Sequence, residues 1–542
     1  MPIMKSNPSS STVAYCVLGV VAAAGAVAAR CSAPHYSLSR EPASPISQPL
    51  GPQFVSYSFE PAFWIEFFGE PDSPRNLTFT LLNHLHERGA RPIIRAGGIT
   101  MDSMVFDGRQ KASVVRTEDG KGGIYRTTVG PAFYRQWDTF PPGTRFVSTL
   151  NFGNASLDIA RGLAAASYQL QRDKIAYYEL GNEPTNYPSS RWNGSTAAYI
   201  AQWQHFTGEI DAATHNDSHG RWWASSATTD ITPLRVRPSD LIPAGVNSTG
   251  QVGQYSIHSY AFATCDPARA ARATIANLLN HTLVLHYVDT EILPSAQAAM
   301  AAGAGWIIGE FNSVACSGKP GVSDTFAQAL WAAAASLAYA ARNASAVHAH
   351  QGAALRFQSD QQLNAPGDDG SPGFSSYSLL YPVDSSKRGE ARVLPVFVSQ
   401  LLLAEALIDD GNGGVVGGYR IAALDTPEGL SQDGFAAYGI FGGAAAGGLK
   451  LAKMVILNTK PYYAGQDAAR GTVSLDIGKH KGAAVKRMTA PSVDETDTAK
   501  VTWAGQSFRN GNAVGHVSVE RLRARERVLL RDSEAVLVTF EE

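Results

Sequence analysis

Two stretches of this 542-residue chain share one pattern. Residues 175–184 read Ile-Ala-Tyr-Tyr-Glu-Leu-Gly-Asn-Glu-Pro, and residues 306–313 read Trp-Ile-Ile-Gly-Glu-Phe-Asn-Ser. Each is an apolar run that reaches a glycine and then a glutamate, Glu183 in the first and Glu310 in the second. Such a run, closed by glycine or proline, reads as a buried strand. A carboxylate where a buried strand stops is costly for structure alone, because the ionised group loses hydration. Two of them flanking one bond can cleave a glycoside. One carboxyl stays protonated and donates to the leaving oxygen, so its pKa must be raised; the other is ionised and attacks the anomeric carbon. Glu183 is read as the acid, with Glu310 opposite it. Asn182, next to the acid, is placed to hold a sugar 2-OH.

The elements that must position this pair follow from periodicity. Eight short apolar runs read as strands, at 54–59, 92–96, 146–152, 175–180, 222–227, 255–260, 306–309 and 346–350. Between them lie helical stretches at 77–88, 156–171, 196–213, 268–279 and 324–341, and a last helix at 394–408. Leu81, Leu82 and Leu85 share one face of the first. Asp266 and Pro267 are start signals for the stretch at 268–279. Residues 109–125 are polar and read as a surface excursion. Repeated strand–helix units imply parallel pairing, and eight of them imply an α/β protein with a closed (β/α)8 TIM barrel. Glu183 and Glu310 are 127 residues apart, three units of about 42. After residue 410 the pattern changes to short alternating runs at 435–441, 449–457, 471–477, 484–489, 500–503, 514–519 and 535–540. They predict a C-terminal β-sandwich domain. The expected division is a leader at 1–31, an N-terminal segment at 32–52 able to add an edge strand to the sandwich, the catalytic barrel at 53–409 and the sandwich at 410–542.

Composition narrows the partners. Lys plus Arg is 45 and Asp plus Glu is 47, a net charge of −2. That balance gives no general attraction to nucleic acid, anionic membranes or an extended polyanionic ligand. Lys5 followed by the uncharged stretch 13–29 and small residues resembles a secretory signal peptide; a retained membrane anchor is the alternative. Seven Asn-x-Ser/Thr triplets, at Asn76, Asn154, Asn193, Asn216, Asn247, Asn280 and Asn343, are candidate glycan sites in a secreted chain. Cys16 and Cys31 fall in or at the leader, leaving Cys265 and Cys316. These are expected to form one disulfide, with two buried thiols as the alternative. No Cys or His spacing points to a metal, and no cofactor is expected.

The residues then reach a family. Gly181-Asn182-Glu183-Pro184 with Gly309-Glu310 resembles the clan of retaining glycosidases on (β/α)8 barrels. Residues 95–102 (Arg-Ala-Gly-Gly-Ile-Thr-Met-Asp), His258-Ser259-Tyr260 and Glu310-Phe311-Asn312-Ser313 resemble glycoside hydrolase family 79, β-glucuronidases and heparanases, and most of all its fungal members. The resemblance implies Glu183 as acid/base, Glu310 as nucleophile, and Asn182, Asp102 and Tyr260 around the sugar. One departure bears on specificity. Relatives often carry a tyrosine and glycines just past the nucleophile, where they bind the uronic carboxylate. Here the stretch is Val314-Ala315-Cys316-Ser317-Gly318, so only the backbone N–H groups of Ser317 and Gly318 are left to form an anion-holding turn.

Weaker candidates surround this set. Arg95 can orient a catalytic carboxylate or form a structural ion pair. His258 can touch substrate or be a satisfied barrel histidine. Of His348, His350 and Gln351, which end strand eight, Gln351 is the better pocket residue. Gly98 allows close approach to the sugar, and Tyr377 covers the site. Trp137, Trp192 and Trp203 can stack on sugars but read more readily as packing. The expected function is a secreted, extracellular retaining exo-β-glycosidase, a β-glucuronidase releasing (4-O-methyl-)glucuronic acid from glycan side chains, with the fungal cell wall as one setting. The alternatives are an endo-acting heparanase-like hydrolase and a non-catalytic carbohydrate-binding or cell-wall protein. The expected partner is a carbohydrate, with no nucleic acid and no membrane after leader cleavage.

Overall fold

Eight parallel strands close on themselves in chain order: β1 (Val55–Phe59), β2 (Ile93–Arg95), β3 (Arg145–Leu150), β4 (Ile175–Leu180), β5 (Trp222–Ala227), β6 (Val252–Ala263), β7 (Gly305–Ala315) and β8 (Val347–Gln351), with β8 pairing back to β1. The computed structural model describes residues 33–118, 124–214, 220–354, 372–409, 417–443 and 448–541. The leader at 1–31, with Cys16 and Cys31, and the triplet at Asn216 lie outside them. β1, β5 and β8 are buried at every position, as a parallel strand covered on both faces must be.

β6 and β7 run longer than periodicity suggested. They continue side by side past the barrel through Phe262–Val314 and Ala263–Ala315 pairs. Glu310 therefore sits inside a paired strand, opposite His258 across a register shift, and not at a strand end. Each strand supplies the other's hydrogen bonds, so Gly309 does not terminate β7.

The helices after β3 and β4 start where serine caps them. Ser156 and Ser195 accept from the N–H groups of Ile159 and Ala198. The expected helix at 268–279 is two short ones, Pro267–Arg272 and Ile275–Leu279. Thr274 leaves the helix and caps its successor by accepting from Asn277. A further run, His281–Tyr287 and Leu293–Ala301 joined by one π turn, was not legible in the sequence. The excursion at 109–125 contributes to a three-stranded sheet of Met104–Phe106, Val114–Glu118 and Ile124–Val129, so it carries structure where polarity suggested none. Phe326–Ala340 is buried at every residue. Its first two amide groups donate to the carbonyls of Glu495 and Val493, which satisfies donors that a helix start leaves unpaired.

The C-terminal domain faces a seven-stranded antiparallel sheet with a three-stranded one. The small sheet is built from His35–Ser37, Thr472–Asp476 and Val528–Arg531. Met454, Ile456, Val485, Leu530, Val536 and Val538 fill the space between the sheets. Arg420–Ala423 and Val528–Arg531 are strands that the sequence reading omitted, and the run at 514–519 is not a strand. Val514 and Val517 are 65% and 58% exposed, so their alternation has no core to face, and pairing resumes at Glu520–Arg523.

Candidate active site

The turn after β4 has an unusual backbone. Gly181 has φ 79°, and a Cβ there would lie 2.4 Å from the Tyr187 hydroxyl, so only glycine fits. Glu183 follows in the left-handed region at φ 47°. A non-glycine residue there costs roughly 1–2 kcal/mol, so surrounding bonds must hold it. Asp102 supplies them. It accepts from the backbone N–H groups of Asn182 (3.1 Å), Phe152 (3.1 Å) and Gly153 (3.0 Å) and from the Tyr187 hydroxyl (2.5 Å). Burial pushes its pKa up to about 6, against the pull of those four donors.

Arg95, at the end of β2, is fully buried and joins the pieces. Its Nε donates to Glu179 (2.6 Å) and its Nη1 to Glu310 (2.8 Å) and Ser58 (3.0 Å). Its Nη2 donates to the Asn182 Oδ1 (2.8 Å). Since a guanidinium only donates, the Asn182 oxygen must face Arg95 and the Asn182 NH2 faces elsewhere. Burial opposes the charge on Arg95, but Glu179 and Glu310 raise its pKa above the ordinary value.

Glu310 accepts from the Tyr260 hydroxyl at its other oxygen (2.7 Å). Burial would raise its pKa, yet His350, His258, Arg95 and the Tyr260 bond together hold it down at about 2. Glu310 is thus an anion fixed at both oxygens. Glu183 is held differently. Its Oε1 lies 2.9 Å from His258 Nδ1 and its Oε2 accepts from Asn186 (2.9 Å). Oxygens of both glutamates and a ring nitrogen of His258 lie within 4.8 Å of one another. The same three groups are close enough to ligate a metal, but the Arg95 guanidinium already occupies the electrostatic place of a cation beside Glu310.

These groups open into a cleft of about 430 Å³ at the C-terminal rim of the barrel, the end where barrel sites form. Asn182, Glu183, His258, Tyr260, Glu310, Ser317 and Tyr377 line it. Four residues expected at the sugar do not. Asp102 spends its oxygens on the turn beneath Asn182. Gln351 is fully buried, donating to the Ala349 and His350 carbonyls and accepting from Leu379 N–H. Gly98 faces Glu60, whose carboxylate a Cβ there would strike at 2.4 Å. The Gly318 N–H is committed to the Val314 carbonyl, which removes half of the expected anion-holding turn. Of the two histidines set aside, His350 lines the cleft, and Glu310 and Glu60 raise its pKa although burial alone would lower it. His348 lies beneath the site, Nδ1 3.1 Å from the Ile308 carbonyl, with its pKa lowered to about 3 by burial. Trp137, Trp192 and Trp203 are buried against other rings, none at the cleft.

The sequence reading missed Glu60, which lines the cleft and accepts from Ile99 N–H (3.0 Å) and from the Thr100 N–H and hydroxyl. A signal existed: Phe59-Glu60-Pro61 ends β1 as Asn182-Glu183-Pro184 follows β4. Cys265 and Cys316 form a disulfide, Cα atoms 5.9 Å apart, across the extended ends of β6 and β7. Cys316 and Ser317 have φ 61° and 70°, so the chain turns sharply at the cleft wall.

A closed parallel barrel with paired carboxylates from β4 and β7 on one rim, followed by an antiparallel β-domain, has the architecture of barrel glycosidases. Residues 437–537 match the glycosyl hydrolase family 79 C-terminal beta domain. The chain is 30% identical over 358 residues to a β-glucuronidase of Aspergillus niger, covering 60% of this chain and 62% of that one. It is 27% identical over 342 residues to a β-glucuronidase of Neurospora crassa, covering 58% and 60%. The chain thus spans about six tenths of the length of the curated relatives it matches. A crystal structure of a 4-O-α-L-rhamnosyl-β-D-glucuronidase from Fusarium oxysporum shares the fold, with a TM-score of 0.73 at 21% identity, over 93% of this chain and 100% of that one. A family 51 arabinofuranosidase from Xanthomonas axonopodis pv. citri shares it more loosely, at TM-score 0.57 and 12% identity over 94% and 99%. Residues 437–537 thus resemble the C-terminal domain of glycoside hydrolase family 79, and the chain is similar over about six tenths of its length to two fungal β-glucuronidases.

Proposed function

We propose that this chain is a retaining exo-β-glycosidase that removes β-linked glucuronic acid from glycan side chains. The observation that carries the reading is the pair Glu183 and Glu310, with oxygens within 4.8 Å and contrasting surroundings. Retaining enzymes hold their carboxyls about 5–5.5 Å apart, and inverting ones leave about 6.5–9.5 Å for a water. Glu310, kept ionised by Arg95 and Tyr260, attacks the anomeric carbon and forms a glycosyl ester. Glu183 gives its proton to the departing oxygen. It then takes one from water, which cleaves the ester and restores both groups. The Asn182 NH2, aimed by Arg95's hold on its oxygen, donates to the sugar 2-OH.

The uronate preference is supported by the names of the curated relatives. Ser317, Tyr377 and His350 line the cleft and carry donor groups of the kind that suits a carboxylate. The cleft volume, near the small end for ligand sites, favours removal of a terminal sugar. We further propose that the chain acts outside the cell, on the strength of its leader-like N-terminus and its disulfide. Glycans are proposed on the exposed Asn76, Asn154, Asn193 and Asn247. Assay of p-nitrophenyl β-glucuronide, β-glucoside and β-galactoside with the native chain and with Glu310→Gln tests this. Glucuronide hydrolysis that vanishes in a folded variant is expected; a variant with substantial residual turnover contradicts it.

A further inference from the structure

A general acid must stand beside the bond it protonates, so on the reading above the leaving group lies on the Glu183 side of the cleft. The turns after β4 and β5 and the helix after β6 build that side, from Asn186, Thr228, Thr229, Asp230 and Arg269. All five are polar. The cleft's tyrosines belong to the other side: Tyr260 bonds Glu310, and Tyr377 packs near His350, ring centroids 6.3 Å apart. Among the described residues, the leaving-group wall therefore offers no aromatic face on which an aryl group could stack.

It offers instead a fixed ion pair. Asp266 accepts from the Arg269 N–H (2.7 Å) and so places Arg269 in the first turn of its helix. Arg269 Nη2 then donates to the Tyr260 carbonyl (2.9 Å), and Nη1 meets Asp230 Oδ1 at 3.1 Å. Thr229, beside Asp230, is held by the Tyr287 hydroxyl at 3.2 Å. The Asp230 and Arg269 side chains keep 55% and 31% of their surface exposed, so both remain reachable from the cleft. A carboxylate tethered through one oxygen can accept from a hydroxyl at the other, and a tethered guanidinium keeps N–H groups to donate. Neighbouring acceptor and donor positions of this kind match adjacent sugar hydroxyls. The pair sums to no net charge, so it holds no excess of positive charge to draw an anionic leaving group.

We propose that Asp230 and Arg269 form the leaving-group subsite, and that it takes a neutral sugar bound through its hydroxyls. The proposal rests on the glucuronidase reading and adds to it what the glucuronic acid is cut from. The test compares kcat/KM for a β-glucuronosyl disaccharide of a neutral hexose with kcat/KM for p-nitrophenyl β-glucuronide, in the native chain and in Asp230→Ala. Asp230 is exposed, and a thermal melt confirms that the variant folds. The disaccharide-to-aryl ratio is expected to fall about tenfold, mainly through KM for the disaccharide. A ratio that changes by less than about fivefold overturns the subsite. A native chain inactive on both glucuronides refutes the glucuronidase reading itself, so the two failures are distinguishable. Arg269→Gln is the second variant: the same loss of ratio supports the pair, and a proportional loss on both substrates overturns it, because Arg269 would then act only through Tyr260.

Discussion

Glu310 and Glu405 both sit among cations, and of the two only Glu310 is at the site. Glu310 is gripped by Arg95 and Tyr260. Glu405, on the helix Phe397–Leu407, is gripped by Arg88 (2.8 Å), Lys486 (2.6 Å) and Trp503 Nε1 (2.9 Å). Burial alone would raise both pKa values, and in each case the surrounding donors lower it instead. Glu405 lies where the barrel meets the β-domain, and Lys486 and Trp503 come from β-domain strands, so its network pins the two together. Glu310 has a second carboxylate within 4.8 Å and a place on the cleft wall, on which Glu405 does not lie. A depressed carboxylate pKa therefore marks a buried ion pair, and the opposing group decides whether chemistry follows.

The contrast is sharpest under substitution. Glu310→Gln should cost on the order of 10⁴-fold or more in kcat while the fold survives. Glu405→Gln should leave kcat within a few-fold and lower the melting temperature, because it loosens the domain junction by roughly 1–3 kcal/mol. Paired kinetics and melts check both, and equal activity losses would dissolve the comparison.

Arg95→Lys comes next. A lysine cannot span Glu179, Glu310, Ser58 and Asn182 at once, so kcat should fall about a hundredfold. Stability should fall with it, since leaving a buried charge uncompensated costs about 3–5 kcal/mol at the extreme. Asp102→Asn should have a smaller effect, about 1–3 kcal/mol, because an NH2 would face the donors of Asn182 and Tyr187. Activity should drop with stability there, since the turn carries Glu183.

A last effect is in acid. Glu310 is held at about 2 in the fold, below the usual 4.5 of an unfolded glutamate. A depressed carboxylate adds stability that is full above the unfolded value and is lost as pH falls from about 4.5 towards 2. The native chain should therefore lose stability more steeply than Glu310→Gln across that window in denaturant titrations. Parallel curves would contradict the depressed pKa.

Some of this was open to reading in the chain and some was not. Glu183 and Glu310 were legible because an apolar run before a charged residue is a local pattern, and the barrel followed from eight such runs. Glu60 was legible in principle, since Pro61 closes β1 behind it as Pro184 follows Glu183, but a single glutamate before proline is a weak signal. Asp102 and Gln351 were misplaced because sequence gives a polar residue at a strand end without telling whether it turns outward to a ligand or back to the backbone. The continuation of β7 through Glu310 depends on β6 lying beside it, and Asp230 reaches Arg269 only through the paths of two separate loops. Such meetings between distant segments leave no periodic trace.

The most direct test of the central claim is the anomer released first from p-nitrophenyl β-glucuronide, followed by proton NMR before mutarotation. Double displacement by Glu310 and Glu183 predicts that β-glucuronic acid appears first. Initial release of the α anomer would show a single displacement by water and contradict the account.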